Sequence, residues 1–156
     1  MLIPDKIQKL IKQQQILLIG TVNKGICNIS PRTSFHLDAD GSVYWLELFR
    51  HKTLRNLQKN HWCTIAVFDK KRLIGYQLKG KASLVSDRKT KLQMKLKIID
   101  KLTRLHKQRI LRQSARPNLV RFVPQIIFSL NPNELADSAL MISADVQSFR
   151  ASDLKW

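Results

Sequence analysis

Cysteine is scarce in this 156-residue chain, with only Cys27 and Cys63. A disulfide scaffold is therefore excluded. Neither cysteine has a second cysteine or a histidine at metal-site spacing, and both sit among apolar neighbours in predicted strands, so buried, reduced thiols are expected. The four histidines, His36, His51, His61 and His106, lie far apart and lack the paired spacing of a metal site. Ser34 and His36 share a strand face without an orienting acid, which argues against a hydrolase. No apolar run approaches the ~20 residues of a membrane-spanning helix. Residues 1–15 are polar and amphipathic with no cleavable signal pattern. A cytoplasmic protein without a membrane span is the expectation. Internal repeats and low-complexity segments are absent as well.

Acidic residues are also few: 11 Asp and Glu stand against 28 Lys and Arg, a formal charge of +17. Such a surface attracts anions, among them phosphates, anionic membranes and nucleic acids, and charge alone does not choose between them. The excess is concentrated in residues 88–116, which hold eleven basic residues and one acid, Asp100. That stretch has no Phe, Tyr or Trp on which a base could stack, which argues against nucleic acid as a partner.

The length suits a single domain over residues 1–156. Ile7, Leu10 and Ile11 recur at helical spacing and predict a short helix over 5–15, begun at Pro4 and Asp5. Residues 16–22 and 26–30 are rich in strand formers and flank the turn Asn23-Lys24-Gly25, the signature of a hairpin. Strands over 33–37 and 42–48 follow, split by a turn ending in Asp40-Gly41. A helix over 52–59 is expected next, closed by Asn60. Long strands over 62–69 and 73–85 come after it, the second with Gly75 and Gly80 at sites of close packing or bulging.

Residues 86–114 contain no Gly or Pro, and Leu92, Leu96, Ile99, Leu102, Leu105 and Ile110 recur at three to five. This predicts a helical insertion over 88–114, continuous or broken in two, ended by Pro117. A strand pair over 119–122 and 126–130 closes the pattern, and residues 136–156 form a weakly patterned tail. Hairpin-linked strands at regular spacing make the fold mainly β with helices, a barrel of antiparallel strands.

The richest chemistry lies where a strand ends and a helix begins, at Phe49-Arg50-His51-Lys52-Thr53. A helix start offers free N–H groups and partial positive charge, which suit a phosphate. Arg50, Lys52 and Thr53 stand around that point and add charge-assisted hydrogen bonds.

The short helix, the hairpin, Ser30-Pro31-Arg32-Thr33-Ser34-Phe35, the Phe49 to Thr53 corner and Gly75-Tyr76-Gln77-Leu78-Lys79-Gly80-Lys81-Ala82 occur in an order that resembles the pyridoxamine 5'-phosphate oxidase-like, FMN-binding split-barrel family. The resemblance covers residues 5–87 well and 119–130 weakly. It implies a split β-barrel and a homodimer with FMN between the subunits. It further implies that Arg50, Lys52 and Thr53 hold the flavin phosphate. The isoalloxazine would lie along two neighbouring strands, Arg32, Thr33 and Ser34 on one and Trp45, Leu46 and Glu47 on the other. The chain departs from the family in its basic insertion and in lacking substrate-phosphate residues near the carboxyl terminus.

The function these features imply is an FMN-dependent oxidoreductase passing hydride or electrons to or from a small molecule. The protein would orient the cofactor, and no catalytic side chain is assigned. The same fold with a deazaflavin or haem, or a basic nucleic-acid or anion-binding module without enzymatic activity, are the alternatives. Trp156 packs over a partner's flavin or fills a groove.

Overall fold

The computed structural model of the chain describes residues 1–49, 51–113, 117–134 and 138–146. Arg50 and Trp156, both singled out above, lie outside the described residues.

The order of elements follows the expected one as far as the insertion. Helix α1 (Asp5–Gln14) precedes the hairpin of β1 (Leu17–Asn23) and β2 (Ile26–Arg32), then come β3 (Phe35–Leu37) and β4 (Val43–Glu47). Helix α2 (Lys52–Lys59), β5 (Trp62–Asp69) and β6 (Ile74–Leu84) follow. Helices α3 (Arg88–Asp100) and α4 (Arg104–Gln113) form the insertion, ahead of β7 (Asn118–Ser129), the short β8 (Met141–Ile142) and a 3-10 turn at Ala144–Val146. All strand pairings are antiparallel, in the order β2-β1-β5-β6-β7-β4-β3, with β8 on β7.

Strands β2 and β3 stand at opposite ends of that order, yet only Thr33 and Ser34 separate them in the chain. The three steps from Arg32 to Phe35 span at most about 11 Å, so the sheet has to curl until its two edges meet. The result is a split β-barrel with a seam at Thr33 and Ser34. These two residues are therefore a link between edges, not part of a strand over 33–37, and β3 begins only at Phe35. Leu46 N–H donates to Ser34 O at 3.3 Å and holds the link to the far edge.

Inward residues of the strands, among them Leu17, Ile19, Trp45, Ile65, Leu78 and Phe122, join Ile7 and Ile11 of α1 in the main core. A second cluster lies on the other face of β4 and β7, where Tyr44, Leu46 and Leu119 meet Met94, Ile98 and Ile110 of the insertion. Strand β4 is consequently buried on both faces.

Three expectations are corrected here. The pair of strands over 119–122 and 126–130 is one strand, β7, which runs straight through Pro124. Proline has no N–H for the ladder, and a bulge at this point absorbs the loss: Lys79 pairs with Ile126 while Gly80 pairs with Pro124, so Gln125 is an extra residue. Cys63 is buried as expected, and burial raises its thiol pKa to about 12, but Cys27 is exposed because β2 is an edge strand. The insertion does divide in two, but it buries Met94 and Ile98, while Leu92 and Leu96 point outward at 61% and 52% exposure.

A candidate cofactor cleft at the barrel seam

An open cleft of about 420 Å³ lies at the seam, bounded by the inner side of β2, the link, the end of β4 and the start of α2. Alternation along β2 turns Asn28, Ser30 and Arg32 to one side, and α2 packs against that side. Helix α2 has no side-chain cap. His51 occupies the N-cap in extended conformation (φ −88°, ψ −168°) and makes no capping hydrogen bond. The first N–H groups of any helix lack intrahelical acceptors, and here that end borders the cleft through His51, Lys52 and Thr53.

Thr53 is only 3% exposed, and its hydroxyl is held within a polar group. Asn28 Nδ2 donates to Thr53 Oγ1 at 3.2 Å, and the Ser30 and Thr53 hydroxyls are 2.9 Å apart. Behind them Asn56 Nδ2 donates to Thr21 Oγ1 at 3.1 Å. This network joins α2 to the hairpin and fixes two hydroxyls at the cleft wall. Lys52 is exposed at its rim.

Further along the same side of β2 the cleft carries an ion pair. Arg32 Nη2 and Nε donate to Glu47 Oε1 at 2.6 and 3.2 Å, and Arg32 Nη1 donates to Pro31 O at 2.8 Å. Trp45 Nε1 donates to the same Glu47 oxygen at 2.8 Å. Glu47 is 4% exposed, and a carboxylate so buried needs this set of donors.

The structure thus brings most of the expected residues together. Arg32, Thr33, Ser34, Leu46, Glu47, Lys52 and Thr53 all border the cleft. Trp45 does not: it lies on the same face of β4 as Glu47 but deeper in the barrel core, fully buried, where its indole N–H supports Glu47. Asn28, Ser30, Phe49 and His51 border the cleft too, and reading the sequence assigned none of them to the site. For Asn28 and Ser30 the signal was present in the alternation of β2, which places them on the same side as Arg32.

Comparison with known proteins agrees with the fold. The family described as pyridoxamine 5'-phosphate oxidase matches residues 3–125. No curated protein matches the chain. Among solved structures, HupZ of Group A Streptococcus is similar with a TM-score of 0.65 at 24% identity, over 84% of this chain and 96% of its own. A protein of Clostridium acetobutylicum related to general stress protein 26, of the pyridoxinephosphate oxidase family, gives a TM-score of 0.66 at 16% identity, over 92% and 98% of the two chains. HutZ, the heme storage protein of Vibrio cholerae, gives 0.61 at 22% identity, over 82% and 94%.

Proposed function

The chain belongs to the pyridoxamine 5'-phosphate oxidase family, and from that premise we propose that it binds FMN in the seam cleft and serves as an oxidoreductase for a small molecule. The observation that carries this reading is the uncapped start of α2, with Lys52 and Thr53, opening into a cleft walled by strand ends. These donors fit a phosphate: helix N–H groups, one ammonium and two hydroxyls on Ser30 and Thr53. The cleft volume lies within the range of pockets for small ligands and cofactors, about 300–1,000 Å³.

When bound, FMN supplies hydride or single-electron transfer. The chain's own residues bind and orient it. Lys52 neutralises phosphate charge, while the Asn28, Ser30 and Thr53 network holds its hydroxyls in place without reorganisation. Arg32 is engaged by Glu47, so it stiffens the wall instead of adding a free cation. No general acid or base is assigned.

A second subunit completes the site in this reading. The outer face of the β1–β2 hairpin presents Leu18, Cys27 and Ile29, with Ile29 72% exposed, an apolar surface suited to a homodimer contact.

Haem is the second reading of the same cleft. His51 borders it with an exposed imidazole, a side chain able to ligate iron, and HutZ shares the fold.

Titration of the purified protein with FMN, followed by flavin fluorescence quenching, tests the proposal. Saturable binding is expected, weakened about tenfold in Lys52→Ala by loss of one charge-assisted hydrogen bond. No quenching with FMN, together with a Soret band on adding hemin that His51→Ala abolishes, would transfer the site to haem.

A further inference from the structure

A second cleft, of about 410 Å³, lies on the other side of Thr33, which borders both. It is formed where the end of α1, strand β3 and the turn between α3 and α4 meet. Its walls are apolar, from Ile11, Phe35, Leu37 and Leu102, and its charged lining residues are Lys12 and Lys101, both exposed. Ile11 is fully buried and Leu37 nearly so, which makes the walls part of the barrel's rigid core.

The local charge is unbalanced. Asp38 is the nearby carboxylate, and its Oδ1 already accepts from Lys97 Nζ at 3.1 Å and from His36 Nε2 at 3.2 Å. Lys101 Nζ donates instead to His36 Nδ1 at 2.9 Å, a neutral acceptor in that tautomer. Among the described residues, no carboxylate pairs with Lys12 or Lys101. Burial first, then the neighbouring charges of Lys12 and Lys97, hold the Lys101 pKa below its ordinary value, and the opposing pull of Asp38 does not offset them.

Two cations above apolar walls are complementary to a molecule with the opposite arrangement. We propose that this second cleft binds a small organic anion, a carboxylate or sulfonate, with its head between Lys12 and Lys101 and its apolar body on Ile11, Phe35, Leu37 and Leu102. A bare inorganic anion would leave the walls uncovered, and a neutral hydrocarbon would leave the two lysine charges without an anion. The site stands whether or not the seam cleft holds a flavin, because it shares only Thr33 with it.

Anilinonaphthalene sulfonate, an aryl sulfonate that brightens in apolar surroundings, is the probe. Its emission should saturate at one site per chain. Decanoate should displace it at least tenfold more effectively than decanol, which has the same body without the charge. Replacing Lys12→Gln and Lys101→Gln together should weaken the probe tenfold or more, and both residues are exposed, so the fold is retained. Lys52→Ala, in the seam cleft, should leave the affinity within about twofold. Displacement by decanol as effective as by decanoate, an unchanged affinity in the lysine pair, or loss of binding in Lys52→Ala would each overturn the proposal. The Lys52→Ala outcome would place the anion in the seam cleft, whereas FMN quenching reads that cleft separately.

Discussion

His36, one of the side chains that tie the insertion to the barrel, makes stability depend on pH. Burial holds its pKa below the ordinary 6.5, with Lys101 adding to the shift and the bond to Asp38 opposing it. The folded state therefore binds fewer protons than the unfolded state from that ordinary value downward. His36 contributes its full stability above the window and loses it as pH falls through it. Asp38 has the same sign at lower pH. Burial would raise its pKa, but the hydrogen bonds from Lys97 and His36 outweigh that and hold it below 3.8, so its contribution is lost as pH falls below the carboxylate range. The urea midpoint should fall between about pH 7.5 and about pH 5.5, and by roughly half as much or less in His36→Gln. An equal fall in the variant would assign the dependence elsewhere.

Among the elements, β6 and β7 make the most demanding contact. A Cβ on Gly80 would stand 2.2 Å from Val123 O and 2.9 Å from two ring carbons of Phe122. Backbone on one side and a fully buried ring on the other leave nothing free to yield. Gly80→Ala should cost on the order of 3 kcal/mol, the upper end for overpacking, read as a lowered urea midpoint. Helix α3 shows the opposite regime. It packs Met94 and Ile98 on the barrel's outer cluster and turns its basic side to solvent. Lys89, Lys95 and Arg104 border neither cleft. Reversing them to Glu should leave FMN affinity within about twofold, because exposed charges are screened beyond ~8 Å at physiological salt. Oligonucleotide binding by the unaltered protein should be weak and fall steeply with salt, as counterion release requires. Fluorescence anisotropy across a salt series measures it, and tight sequence-selective binding at high salt would make the basic helix the working surface.

At the scale of the whole molecule, a formal charge of +17 opposes self-association. The hairpin's outer face offers a contact without such repulsion, since Leu18, Cys27 and Ile29 on it carry no charge. If this face joins two copies, Ile29→Lys should raise the dimer dissociation constant tenfold or more, since symmetry places the new charge in the interface twice. Sedimentation equilibrium of the variant beside the unaltered chain distinguishes this from a dimer built elsewhere. Among the described residues no helix is long and apolar enough to cross a membrane.

Reading along the chain was sufficient for whatever depends on neighbours in sequence. Helical spacing in α1 and α2, alternation in β5 and turn chemistry at Asn23-Lys24-Gly25 are local. So is the strand-to-helix junction that brings Lys52 and Thr53 to the start of α2. The sequence alone therefore determined the order of elements as far as the insertion. Tertiary structure decided everything that depends on what covers a residue. Pro124 looked like the end of a strand until the bulge opposite Gly80 was seen to accommodate it. Cys27 has apolar neighbours along the chain and Leu92 falls at helical spacing with Leu96, yet one lies on an edge strand and the other on the outer side of a packed helix. Trp45 and Glu47 share a face of β4, and closure of the barrel places one in the core and the other at the cleft. The second cleft is the furthest from local information. It joins Lys12 to Lys101 across 89 positions of the chain, and only the packing of α1 beside the insertion brings those two charges to one mouth.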